Sequence, residues 1–338
     1  MISSGSARDL SVVIPIYGCA AAIFELYDRL TKALVGMQVD YEIIFVDDVS
    51  PDGSWELLLE AVAGDSRVTL LRLARNQGQH IAISAGLAEC CGEKVVVMDG
   101  DLQDQPEAIP LIYEKATATE APVVYAKRKT AHQKGSRVLM GKAYFRFLEW
   151  IAGRRIDPEY GTFTLITRPV VEAYMSLKEP NRHYLFILYW LGFAHAEIEF
   201  AREKRPHGRS SYNFKRLFMH AFQGMKFYAS SLQRLLLGAT GLVVLSGVAL
   251  LLIALLGLDT ASAGIARSAA LALCSLIAIG LGSGLMLVGV LAFQAFEEAK
   301  DRPLFIVHKR IRGGEIQQRD HGRSERRGTS PALTSSAG

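Results

Sequence analysis

Apolar runs and stretches of helical character alternate along the first part of the chain. From Leu10 to about Lys127, β-branched apolar runs recur at SVVIPI, YEIIFV, RVTLLRL, KVVVM and APVVYA. Between them, Ala20–Val35, Ser54–Val62, Gln79–Glu89 and Pro106–Thr117 carry helical spacing. Short unbroken strands separated by helices predict an α/β domain with a mostly parallel sheet covered on both faces. Sheets of this type bind ligands beyond the carboxyl ends of their strands. Further on, Ser136–Ala152 reads as an amphipathic helix, TFTLIT as a strand followed by a helix over Pro169–Leu177, and HAEIEFA as an edge strand.

The pattern then changes. Leu235–Leu258 and Ser268–Phe296 contain no charged residue, and Asp259 and Arg267 are the charges in the loop between them. Each stretch exceeds the roughly 20 residues that a helix needs to cross a bilayer. They predict a two-helix transmembrane hairpin over 235–298, in which Gly280 and Gly284 form a GxxxG step that permits close helix packing or a homo-oligomer. The segment 212–234 mixes Phe, Leu and Met with Lys, Arg and His, and either rests on the bilayer surface or packs against the domain. Residues 299–338 carry Lys300, Arg302, Lys309, Arg310 and Arg312, and read as a basic tail, largely disordered after 313. The positive-inside rule puts this tail, and with it the domain formed by residues 1–211, on the cytoplasmic side of the inner membrane in a multi-pass topology.

Composition adds little to this division. Half of the 338 residues are apolar, 21% are charged and the net charge is +4, a balance too mild to imply nucleic acid as a partner. The four cysteines, Cys19, Cys90, Cys91 and Cys274, show no metal-binding spacing and fit a reducing compartment. MISSGSARDL at the N-terminus has no apolar signal segment.

The candidate chemistry sits at the predicted strand ends. In FVDDVSPDGS, Asp52 or Ser54 suits the cap of the next helix, whereas Asp47 and Asp48 lie directly on a buried strand end, where a carboxylate accepts hydrogen bonds from a base or ribose. In VVVMDGDLQDQPE, Asp99 and Asp101 flank Gly100, which lets the backbone bend so that both face one hard divalent cation. Asp104 and Glu107 have capping-box spacing with Pro106 in the first helical turn, and Gln103 is ambiguous. Arg75 is in position to reach a phosphate, and His80 reads as a surface residue at a helix start. The basic residues Lys127, Arg128, Lys129 and Arg137, and the loop carrying Arg205, Gly208, Ser210 and Tyr212, fit either a phosphate clamp or a solvated basic face.

VVIPIYG, FVDDVSPDGS, ARNQGQHIAISAGL, VVMDGDLQDQPE and RPHGRSSY follow one another in the order seen in family 2 glycosyltransferases of the GT-A fold. With the two apolar stretches, the chain resembles their polyprenyl-phosphate branch, which includes dolichyl-phosphate mannose synthases, bactoprenol glucosyltransferases and the aminoarabinose transferases of lipid A modification. The resemblance implies a GT-A domain that transfers sugar from a nucleotide sugar to a polyprenyl phosphate for the cell envelope. It implies donor contacts at Pro15, Tyr17, Asp48, Arg75, Asp99 and Gly100, and a Mg²⁺ or Mn²⁺ ion held by Asp99, Asp101 and Gln103. It further implies phosphate contacts at Arg128, Arg137, Arg205 and Ser210, with Asp101, Asp157 and Arg205 in catalysis. UDP-glucose is the first expected donor. The chain departs from the family at PIYGCAA, where PVYNE is common, and at Ser211, where Lys is usual. A processive synthase would carry Q-x-x-R-W, and a nicotinamide enzyme G-x-G-x-x-G after the first strand; neither is present. The alternatives are a catalytically inactive membrane scaffold or flippase partner, or a transferase using a different acceptor.

Overall fold

A computed structural model describes residues 8–128, 159–177, 179, 182–200, 238–247, 263–300, 302–313 and 315–316. Nine strands form one sheet: β1 (Arg8–Ile16), β2 (Tyr41–Asp47), β3 (Val68–Leu73), β4 (Gly92–Val97), β5 (Val123–Arg128), β6 (Tyr160–Thr167), β7 (His195–Phe200), β8 (Val307–Arg312) and β9 (Glu315–Ile316). Their order is β7-β5-β6-β4-β1-β2-β3-β8-β9. The helices are α1 (Ile23–Gly36), α2 (Ser54–Ala61), α3 (Gln79–Glu89), α4 (Ile109–Thr119), α5 (Arg168–Ser176), α6 (Tyr184–Leu191), the segment α7 (Gly238–Gly247) and α8 (Ala263–Ala299). The helix predicted over Ser136–Ala152 and the juxtamembrane segment 212–234 lie outside the described residues.

The sheet is doubly wound, and the alternation of strand side chains explains why. Val12, Ile14, Ile43 and Phe45 face a core shared with α1, α2 and α4, while Val13, Ile44, Val46, Val95 and Val97 face a second core shared with α3, α5 and α6. Both faces are buried, so the strands read as continuous apolar runs. The expectation of a mostly parallel sheet needs correction. β4, β1, β2 and β3 are parallel neighbours, but β6 inserts antiparallel between β4 and β5, and β8 and β9 add antiparallel at the other edge. The result is a mixed sheet, because β6 and β8 reach their places from distant parts of the chain. α6, with the sequence YLFILYWL, was not anticipated; eight unbroken apolar residues carry no period that separates helix from strand.

The residues after α8 also depart from expectation. Val307–Arg312, read as part of a basic tail, pair with β3, and the Ala74 N–H donates to the Ile306 carbonyl at 2.9 Å. Arg310 reaches across to form an ion pair with the buried Glu89 at the end of α3. The boundary drawn at 211 therefore does not enclose the sheet, whose last two strands follow the apolar region.

Within α8, Leu273–Phe293 is a 21-residue span of mean hydropathy 2.3, with 11% of its most apolar window buried. Among the described residues it is the one helix long and apolar enough to cross a membrane. The small residues of its GxxxG step face α7: a Cβ on Gly280 would lie 2.8 Å from Val244 Cγ2, and one on Gly284 3.5 Å from Thr240 Cγ2. A Cβ on Gly247 would lie 3.0 Å from Ile277 Cγ1. The order 247–277, 244–280, 240–284 is that of an antiparallel pair, so the step packs two helices of one chain.

Candidate active site

Four loops at the carboxyl ends of β1 to β4, joined by the start of β6, carry the candidate residues. The loop after β2 holds the acid pair, whose members differ in surroundings. Asp47 is fully buried; its Oδ1 accepts the Ser50 N–H at 3.1 Å, and Arg72 Nε lies 3.3 Å from its Oδ2, an ion pair misaligned for a hydrogen bond. These contacts give Asp47 a structural role. Asp48 is 2% exposed and accepts the backbone N–H groups of Gln77 and Gly78 at 2.8 and 2.7 Å. Burial pushes its carboxyl above the usual aspartate range, the two N–H donors oppose this, and Asp47 adds to the rise. Between Asp48 and Ser50, Val49 sits at φ +59°, which strains a β-branched residue by about 1–2 kcal/mol.

Asp52 Oδ1 accepts the Ser54 N–H at 3.2 Å and the Ser54 hydroxyl at 2.6 Å, and its Oδ2 accepts the Ala20 N–H at 2.9 Å. Burial raises the Asp52 carboxyl, but these hydrogen bonds carry it below the usual range. The N-cap of α2 is Gly53, without a side-chain cap, so neither Asp52 nor Ser54 caps the helix as expected; Asp52, one residue earlier, instead holds Ser54 at the first helical position and ties down the loop after β1.

The turn after β4 holds Asp99, Gly100, Asp101 and Gln103. Gly100 is required by close approach: a Cβ there would lie 2.4 Å from Ile16 Cδ1 and 3.3 Å from the Pro15 carbonyl. Pro15 itself is buried in β1, and its carbonyl is one of the groups that a Cβ on Gly100 would crowd. Asp99 Oδ1 accepts Gln79 Nε2 and the Thr162 hydroxyl, both at 2.6 Å. Asp101 Oδ1 accepts the Gln103 N–H at 3.1 Å, which folds Gln103 back over the turn. Leu102, at φ +61°, points into the core and holds the turn in its tight form.

The capping box predicted from Asp104 and Glu107 does not form. Asp104 is fully buried and its Oδ2 accepts the Asp99 N–H at 3.2 Å, so it braces the acid turn from below. Gln105 precedes the short 3₁₀ turn Pro106–Ala108 without a side-chain cap. Glu107 instead forms a two-pronged ion pair with Arg29 of α1, at 2.8 Å for each bond. The spacing matched the motif, but burial of Asp104 under the turn directed its carboxylate backwards.

Tyr17 is 55% exposed at the rim, and Arg75 is exposed beyond β3. Arg128 ends β5, at the same end of the sheet. His80 is half-buried rather than on the surface: its Nδ1 accepts the Tyr184 N–H at 3.4 Å and its ring lies 4.1 Å from that of His183. Asp157, Arg137, Arg205, Ser210 and Ser211 lie outside the described residues. Gln79 and Thr162 were missed by sequence reasoning. Gln79 opens a helix after Gly78, a position that invites a strand-end contact; Thr162 gave no signal, because its place depends on β6 inserting beside β4.

Cys19 sits beside these acids. Burial pushes its thiol from 9.0 to about 11; a backbone hydrogen bond with Tyr17 opposes this, and Asp101, Asp52 and Asp99 add to the rise. Two pK units mean about 100-fold less thiolate near pH 8 than for an ordinary cysteine. Iodoacetamide labelling of Cys19, followed by mass spectrometry, is expected to be slower than that of a small-molecule thiol by about the same factor. Labelling at the small-molecule rate would show an open, unperturbed thiol.

Among the described residues, no three His, Cys, Asp or Glu side chains form a metal cluster. Asp99 and Asp101 supply two hard oxygen donors on one turn, which fits a cation such as Mg²⁺ that keeps waters and completes its shell with substrate phosphates.

The sequence profile described as Glycosyl transferase family 2 matches residues 11–174, which contain all four loops and Thr162. The uncharacterized glycosyltransferase YkcC of Bacillus subtilis (strain 168) is 32% identical over 308 residues, covering 88% of this chain and 93% of that protein. The undecaprenyl-phosphate 4-deoxy-4-formamido-L-arabinose transferase of Pseudomonas fluorescens (strain SBW25) is 31% identical over 313 residues, covering 90% of both chains. Among solved structures, glucosyl-3-phosphoglycerate synthase of Mycobacterium tuberculosis aligns with a TM-score of 0.47 at 18% identity, over 66% of this chain and 80% of that one. With the acid turn at the strand ends and full-length relatives above 30% identity, the chain belongs to glycosyltransferase family 2 and is a glycosyltransferase.

Proposed function

We propose that the protein is a membrane-bound inverting transferase that moves a sugar from a nucleotide sugar, UDP-glucose first, to a polyprenyl phosphate. The observation that carries this reading is the alignment with undecaprenyl-phosphate 4-deoxy-4-formamido-L-arabinose transferases over 90% of the chain, well beyond residues 11–174. Membrane attachment is supported by the apolar span in α8. The sheet supports a two-crossing topology. β3 and β8 are hydrogen-bonded neighbours, which supports a reading in which the chain lies on one side of the membrane before and after the apolar region. That requires an even number of crossings, and α7, antiparallel to α8, lies where the second would run. The basic residues of β8 orient this side to the cytoplasm.

The reaction then follows from the site. Asp48, held by the N–H groups of Gln77 and Gly78, lies at the end of β2 where a base or ribose would sit. Tyr17 offers an exposed ring at the same rim. Asp99, Asp101 and Gln103 would hold a divalent cation that neutralises the departing nucleotide diphosphate. The acceptor phosphate is already anionic at neutral pH, so its oxygen attacks the anomeric carbon with little need for a general base, and the configuration inverts. Arg128, Arg137, Arg205 and Ser210 are assigned to the phosphates and Asp157 to the reacting end of the site, on the family resemblance. Holding a lipid phosphate at the bilayer surface beside the bound donor supplies much of the rate by proximity.

The test is direct. Purified full-length protein, polyprenyl phosphate, Mn²⁺ or Mg²⁺ and a panel of labelled nucleotide sugars are expected to give a labelled lipid with one donor, and none without the lipid phosphate. Absence of product with every donor, together with no nucleotide-dependent thermal stabilisation, would sink this reading.

A further inference from the structure

We propose that Gln79 and Thr162 are positioning residues that aim the Asp99 carboxylate and thereby set the affinity for the divalent cation. This rests on the assignment of Asp99 and Asp101 to the cation.

Asp99 lies two residues past the end of the buried strand β4, and its side chain has rotational freedom that the backbone turn does not remove. Two donors remove it. Gln79 Nε2 and Thr162 Oγ1 each lie 2.6 Å from the same oxygen, Oδ1. They approach from different elements. Gln79 is the first residue of α3, and Thr162 is a mostly buried residue of β6, which runs antiparallel beside β4. Two donors on one oxygen fix both the torsion of the carboxylate and the direction of its second oxygen. Outer partners of this kind orient a ligating group before the metal arrives, so its binding need not also pay the entropy of ordering.

Gln79 also links the two halves of the site. The N–H groups of Gln77 and Gly78 hold Asp48, and the next side chain holds Asp99. The start of α3 therefore brackets the acid at the end of β2 and the acid at the end of β4. A shift of this helix start moves both, which ties cation affinity to occupancy of the nucleotide side.

The experiment uses the full-length protein in detergent. Mn²⁺ binding is followed by the electron paramagnetic resonance of free Mn²⁺ with UDP present, and UDP binding is measured separately without metal. Thr162→Val keeps the shape of the side chain and removes the donor; Gln79→Ala removes the other donor at an exposed helix start, where folding is little affected. Each is expected to weaken Mn²⁺ binding by about 10-fold or more, while metal-free UDP affinity stays within about twofold. Thr162→Ser restores the hydroxyl and is expected to bind Mn²⁺ close to the parent. A merely structural role would move UDP affinity and melting temperature together with Mn²⁺ and would gain nothing specific from serine. If the parent binds Mn²⁺, Asp101→Ala does not, and both Thr162→Val and Gln79→Ala bind as the parent does, the positioning role is overturned and the metal assignment stands. If the parent binds no Mn²⁺ even with UDP, the metal assignment falls and this inference with it.

Discussion

Asp101→Ala is expected to lower sugar transfer by about 10³-fold, or roughly 4 kcal/mol of transition-state stabilisation, with a melting temperature within about 2 °C of the parent. Its half-buried carboxylate accepts the Gln103 N–H at the tip of the turn, whereas the turn itself is held by Gly100 against β1, by Leu102 in the core and by Asp104 beneath. The fold therefore loses little when Asp101 goes. Asp101→Asn retains an acceptor for Gln103 and removes the charge, so a loss nearly as large as that of the alanine variant assigns the effect to charge. Initial rates at saturating donor, with melting curves in the same detergent, make the comparison. Normal turnover in either variant removes Asp101 from the cation site.

Glu89→Ala is expected to destabilise the protein by about 3 kcal/mol and to lower its melting temperature by about 10 °C. Glu89 is nearly buried at the end of α3, where its charge is unfavourable to the helix dipole, and Arg310 of β8 neutralises it. Removing one partner leaves the other charge largely shielded from water without its counter-ion, which costs more than the pair contributes. The pair also fastens β8 to the sheet, with Ile311 buried and Phe305 and Val307 packed on the core that α3 shares. Limited proteolysis is expected to cut near residue 302 in the variant and not in the parent. The double variant Glu89→Met, Arg310→Leu tests the cause: an apolar pair is expected to recover most of the stability. A single Glu89→Ala variant that melts with the parent would show that backbone pairing alone holds β8.

The acid turn shows how far the sequence could be read. The place of Asp99 and Asp101, on a turn just past a buried strand, was legible because the apolar run KVVVM marks the strand and Gly100 the turn. Asp104 and Glu107 were misassigned because a capping box is a spacing rule, and spacing does not know that Asp104 is packed beneath the turn. Asp47 and Asp48 looked equivalent, yet Arg72 and the start of α3 give them different surroundings.

The sequence by itself determined the α/β alternation, the helices α1 to α4 to within a few residues at their ends, the apolar region and the strand-end acids. These follow from local period and from side-chain chemistry, which neighbours in the chain specify. Only the tertiary structure decided that β6 enters beside β4 and brings Thr162 to Asp99, that β8 returns after the apolar region to pair with β3, and that the GxxxG step meets α7. Each of these joins segments far apart in the chain. Their pairing is governed by which strand edges and helix faces remain to be covered, a property of the assembled sheet that no local window contains.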